Sequence, residues 1–151
     1  LGCAGYGEDK AIFGFGYLDG GPHTAITNLV NNSGVVASDV SGVGTTRWSL
    51  AAASYGTDKA IFGYGNDDAV TNLSNLVSNS GVVAADVSGV GTSRSGIAAT
   101  NYGEDKAIFG YGTTGSVTAI TNLVSNSGVI ASDVSGVGTN RYNLAAAGYS
   151  Y

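Results

Sequence analysis

One phrase of this chain is written three times. Asp-Lys-Ala-Ile-Phe-Gly-Tyr-Gly occupies residues 58–65 and 105–112, and it recurs at 9–16 with Phe15 in place of the tyrosine. Lys10 and Lys59 are 49 residues apart, and Lys59 and Lys106 are 47 apart. Asp39, Asp86 and Asp133 follow one another at intervals of 47. A period of this length is the mark of a modular array. The units run over residues 1–49, 50–96 and 97–143, and residues 144–151 restart the pattern with Leu144-Ala-Ala-Ala-Gly-Tyr149.

Within a unit four short segments carry strand character. They are Leu-Ala-Ala-Ala-x-Tyr (a), Lys-Ala-Ile-Phe-Gly-Tyr (b), Ile120-Thr-Asn-Leu-Val124 (c) and Val129-Ile-Ala-Ser132 (d) with their counterparts. Each is short, rich in β-branched or aromatic residues and bounded by Gly, Asn or Ser. Helix is a poor alternative, because glycines interrupt every candidate and no 3.6-residue apolar period is sustained. Tyr-Gly-x-Asp-Lys joins a to b, and Asn-Ser-Gly joins c to d, both with a glycine free to take a positive φ. Four antiparallel strands in about 47 residues describe one blade of a β-propeller. The fold class expected is therefore all-β, a propeller of four-stranded antiparallel blades.

Those residues carry a family resemblance. Arg-x-x-Leu-Ala-Ala-Ala followed by Ala-Ile-Phe-Gly-Tyr-Gly resembles the kelch repeat, whose paired glycines stand here as Gly-Tyr-Gly. The near-identity of the copies and their low charge also resemble repeat proteins of marine tailed phages. The first resemblance implies propeller blades with segment a innermost. The second implies a virion or fibre component, extracellular or on a virion surface. Three units do not close a ring of four to eight blades. Residues 144–151 are thus expected to be a closing strand, either in a longer chain with upstream blades or in a ring of several copies.

Composition limits the chemistry. Charged residues make up 11% of the chain, net charge is −5, and each unit holds one Lys and one Arg. No basic stripe exists to meet a phosphate backbone, so nucleic acid is not an expected partner. No run of 18 apolar residues is present, and no membrane is expected as a partner. His23 is the sole histidine and Cys3 the sole cysteine. No Ser-His-Asp or Cys-His pair can recur, and the two-histidine copper site of kelch-type oxidases is not supported, so no enzyme, cofactor or metal is expected. His23 reads as a solvated loop residue, and Cys3 as a small buried thiol where the other units have alanine. Asp19, Asp67 and Asp68 have oxygen ligands of the kind calcium takes, but no spaced acidic pattern accompanies them.

Two sets of positions remain. Asp39 stands eight residues before Arg47, Asp86 before Arg94 and Asp133 before Arg141, a recurrence that suits an ion pair or turn clamp tying strands or blades. Variation instead concentrates in the b–c loops (17–23, 66–70, 113–117) and beside each arginine, at Trp48, Ser95 and Tyr142 among others. In an up-and-down blade both regions emerge on one side, where a rigid scaffold would present them to a partner. Tyr17, Asp19, His23, Trp48, Asp67, Asp68 and Tyr142 are the candidate ligand-binding residues. The expected function is a structural and adhesive module, with a lectin-like propeller holding one glycan site per blade as the alternative. Its expected partners are further blades or copies of itself, other virion or surface proteins, and glycans.

Overall fold

The computed structural model describes residues 1–149. Among them lie nine strands and no helix, arranged as three separate three-stranded antiparallel sheets. The first sheet is β1 (Gly2–Tyr6), β2 (Lys10–Tyr17) and β3 (His23–Val30). The second is β4 (Ala51–Tyr55), β5 (Lys59–Gly63) and β6 (Ser74–Val77). The third is β7 (Ala98–Tyr102), β8 (Lys106–Gly110) and β9 (Thr121–Val124). In each sheet the strands lie in chain order, as short hairpin connections dictate.

The sheets are not four-stranded blades. Segment d runs beside segment c but meets it only in isolated bridges, Val36 with Val30 and Val40 with Thr27 in the first unit. In the first unit residues 35–40 are all exposed, and in the inner units only Val83 and Ile130 of the segment turn inward, so no buried row holds a continuous register. The expected closing strand is not a strand either. Residues 144–148 join no ladder among the described residues, and Ser150 and Tyr151 lie outside them.

Alternation along the strands gives every sheet two working faces. In the second sheet Ala53, Ile61 and Leu76 sit abreast on one face, and Ala52, Phe62 and Asn75 on the other. Sheets stack face to face with β1 beside β4 and β4 beside β7. Phe62 enters the first sheet and Phe109 the second, and both are fully buried. Glycine makes the space: a Cβ on Gly14 would lie 2.9 Å from the Phe62 ring, and one on Gly63 would lie 2.7 Å from the Phe109 ring. The corresponding Gly110, with no sheet beyond it, would meet only Thr121 at 3.3 Å. Backbone also crosses the junctions, with Gly7 N–H donating to Asp58 O (2.6 Å) and Gly56 N–H to Asp105 O (2.7 Å).

The stack leaves its two outer faces open. Phe13, the counterpart of Phe62, is 40% exposed. Cys3 lies opposite Phe13 on that face and is exposed rather than buried, because no sheet among the described residues covers it.

Position in the stack should therefore decide what the same phenylalanine contributes. Phe62→Ala and Phe109→Ala are expected to lower stability by roughly 3–5 kcal/mol, the range for emptying a packed core. Phe13→Ala should fall within about 1 kcal/mol. Urea unfolding of the three variants measures the difference.

Candidate functional site

The recurrent arginines build the joints between sheets. Arg47 and Arg94 are fully buried. The Arg47 guanidinium lies over the Phe15 ring of its own unit, 4.7 Å from the centroid. Its Nη2 donates to Asn75 Oδ1 and its Nη1 to Asp86 Oδ1 (3.3 Å), both in the next unit. Asp86 is further held by Thr45, whose N–H (2.9 Å) and Oγ1 (2.7 Å) donate to Oδ2. Asn75 Nδ2 donates to Asp86 Oδ1 at 2.9 Å and fixes the orientation of the pair. The second joint repeats the first. Arg94 lies over Tyr64 at 4.8 Å, donates to Asn122 and approaches Asp133 at 3.8 Å, while Thr92 bonds Asp133.

This geometry corrects the eight-residue pairing. Arg47 and Arg94 each meet the aspartate 39 residues after them, across the junction, while Asp39, Asp86 and Asp133 do not pair with Arg47, Arg94 and Arg141. The ring under each arginine is set by backbone strain. Phe15, Tyr64 and Tyr111 all have φ near +64° or just below, a left-handed conformation unfavourable for a bulky residue. In β2 this coincides with a register shift between Gly14 and Gly16. The bulge turns the ring so that Phe15 packs on Phe62 (5.1 Å) and Tyr64 on Phe109 (5.2 Å).

The constant turns meet at one rim of the stack. Asn32 donates to Asp9, Asn79 to Asp58 and Asn126 to Asp105, so the c–d turn is tied to the a–b turn in every unit. The variable segments meet at the other rim. Trp48 pairs through its backbone with Asn66, and Ser95 with Thr113, so each d–a turn adjoins the b–c loop of the following unit. In the first unit this rim carries an aromatic cluster. Tyr17 lies 5.2 Å from His23 and 6.1 Å from Trp48, and His23 lies 6.2 Å from Trp48. His23 is the first residue of β3, half-buried against these rings, and not a solvated loop residue. It enters the strand because the insertion lengthens the hairpin, with Tyr17 opposite His23. Tyr17 is 64% exposed and Trp48 37%.

The other candidates are not gathered there. Asp19 is exposed in the turn at the tip of that hairpin, and Asp67 and Asp68 sit in the loop closed by Asn66 and Val70. Tyr142 is exposed at the far end of the stack, against Gly96. Among the described residues no three of His, Cys, Asp and Glu are grouped to hold a metal ion. Sequence reasoning passed over Phe15, Tyr64, Asn75, Asn122, Thr45 and Thr92, although their recurrence at fixed distance from each arginine was a visible signal. No protein-family model and no curated protein matches the chain.

The joints are electrostatically tuned. Burial is the largest influence on Asp86 and Asp133 and alone would raise them. Hydrogen bonds from Thr45 and Asn75 to Asp86, and from Thr92 and Asn122 to Asp133, together with the arginine charges, outweigh it and hold both carboxyls below the usual range. Burial lowers Arg47 and Arg94 and pushes the Tyr64 phenol up to about 12. A carboxyl whose folded value is depressed stabilises the fold above its unfolded value, near 3.9, and ceases to do so as pH falls through the folded one. Stability is thus expected to hold from neutral pH down to about 5 and to fall below about 4. Asp86→Asn should flatten that acid limb while lowering stability near neutrality by roughly 1–3 kcal/mol. Urea midpoints measured against pH check both.

Proposed function

We propose that the chain is a non-enzymatic repeat scaffold with an adhesive rim, a structural module of a surface or virion fibre. One observation carries this reading: the clamps that join the units are nearly constant, and the largest differences between units gather on one rim. The Tyr17–His23–Trp48 cluster is the most ligand-like part of that rim. Exposed aromatic rings with polar tips favour sugars and protein anchors alike, because they offer apolar area at little cost in side-chain freedom. The full cluster is not repeated in the other units, where Asn66 and Thr113 stand for Tyr17 and Ser95 and Tyr142 stand for Trp48. This favours a single binding region over one glycan site in each unit. Face-to-face stacking through the first strand of every sheet is also what neighbouring propeller blades would need, and a kelch-like ring built with further units remains part of the proposal.

Trp48→Ala tests the rim. Binding of the intact chain to an immobilised glycan array and to cell surfaces is expected to weaken about 10-fold or more, the effect of losing an aromatic anchor. The urea midpoint should barely move, since Trp48 supports no core. Equal binding by the variant would remove the rim from the function.

A further inference from the structure

We propose that the two end faces of the array are complementary halves of its internal joint, and that a second copy of this chain docks head to tail upon the first. The internal junctions show what each open face is built to receive. On the first sheet, Asn28 Nδ2 already donates to Asp39 Oδ1 (2.8 Å) and to Ala37 O (3.2 Å). The same contacts orient Asn75 with Asp86 and Asn122 with Asp133. Among the described residues nothing donates to Asn28 Oδ1 or Asp39 Oδ2, the two acceptors that Arg47 and Thr45 use in the second unit. A groove of about 210 Å³ lies at this place, lined by Phe13, Ile26, Asn28 and Asp39. It is an arginine seat without its arginine.

The opposite end carries an arginine without its seat. Arg141 lies over the Tyr111 ring at 4.7 Å, as Arg47 and Arg94 lie over theirs, yet it is exposed and makes no ion pair among the described residues. Tyr102 is 37% exposed where Tyr6 and Tyr55 are 4%, and Leu123 is 39% exposed beside it. Inside the array such residues pack beneath the Asn-Ser-Gly turn of the next unit. A Cβ on Gly81 would lie 3.0 Å from Tyr6, and one on Gly128 would lie 2.9 Å from Tyr55. Gly34, in the turn that would cover Tyr102, has nothing within 4 Å.

Docking one copy on another therefore places Arg141 and Thr139 against Asn28 and Asp39, Phe13 against Gly110, and Gly34 over Tyr102. Residues 144–149 must leave, because they occupy the place that β1 of the incoming copy takes. β1 holds five register pairs with β2 and stays with its own sheet, so the segment from Leu144 onward is the one that yields. The contact joins two different surfaces, so it propagates to longer assemblies and does not stop at a symmetric pair. This inference is independent of the aromatic rim.

The test uses the full chain with Asp39→Arg and Arg141→Glu, each exposed in the single copy and outside both internal joints. Light scattering should show wild-type mass rising with concentration above the single-copy 15.0 kDa. Either variant alone should stay at single-copy mass, its affinity lowered at least about 10-fold by the like charges now facing one another. An equimolar mixture should regain assembly, because the intact ends meet as in wild type and the two altered ends present opposite charges to one another. Cys3 reports the same event: its labelling by a thiol reagent should slow as wild type assembles and stay fast in Asp39→Arg alone. Wild type remaining at single-copy mass up to about 1 mM would overturn the proposal. So would assembly that neither variant weakens, or a mixture no heavier than its parts. Circular dichroism confirms that each variant is folded, and unchanged rim binding separates this result from the fate of the adhesive reading.

Discussion

A buried guanidinium sets the terms for the rest of this fold. Arg47 and Arg94 are removed from water altogether, which is unfavourable by several kcal/mol for an unpaired ion. The structure answers with four partners at once: an aromatic face below, an asparagine and an aspartate ahead, and a threonine that locks the aspartate. Even so, Nε of both arginines and Nη1 of Arg94 find no hydrogen-bond acceptor among the described residues. Such an arrangement is a weak source of net stability and a strong source of register. The ring comes from one unit and the carboxylate from the next, so sheets displaced by one strand spacing would bury the charge unpaired. The valine, isoleucine and phenylalanine contacts between sheets supply the attraction, and the arginine selects the one alignment in which they are made.

That division explains why the copies are so nearly identical. A residue inside a translational stack must satisfy its own sheet and the back of the following one. Phe62 fills the space left by Gly14 and Gly2, while Gly63 leaves the space for Phe109. Changing any one of these in a single unit breaks a fit on one side without repairing it on the other. The positive φ at Phe15, Tyr64 and Tyr111 belongs to the same constraint. Strain of about 1–3 kcal/mol is tolerated at each because the turned ring supports both the arginine and the neighbouring phenylalanine. The rim holding Trp48, Asn66, Ser95 and Thr113 lies outside this network, and there the units differ most.

Much of the fold was legible in the residues. Segments a, b and c were readable as strands because alternation, β-branched residues and glycine boundaries agree. Segment d carried the same composition but lacked a second partner, and composition cannot distinguish a paired strand from a bridged edge. The role of the arginines was readable as a tie between units, but not their partner. In a periodic chain Asp39 to Arg47 and Arg47 to Asp86 recur with equal regularity, and only stacking in space chooses between them. Cys3 misled for a related reason: its alanine counterparts are covered, and sequence does not say which copy stands at an open face. The aromatic cluster could be named residue by residue, but its assembly depended on the lengthened β2–β3 hairpin bringing His23 opposite Tyr17.

A stack held this way has stability that grows with junctions, since each sheet contacts only its neighbours. Three units have two joints, and each joint contains one phenylalanine, one arginine clamp and backbone bonds at both rims. Breaking the joint at Arg94 separates the third unit from the first two, whereas breaking the one at Arg47 releases the first. Neither break propagates through a shared core, because the two apolar clusters belong to different junctions. The exposed valines repeated on the d edge, Val35, Val82 and Val129, follow from the same geometry. They lie beyond the reach of the neighbouring sheet, so stacking more units can never cover them, and the array gains length without losing its open flank.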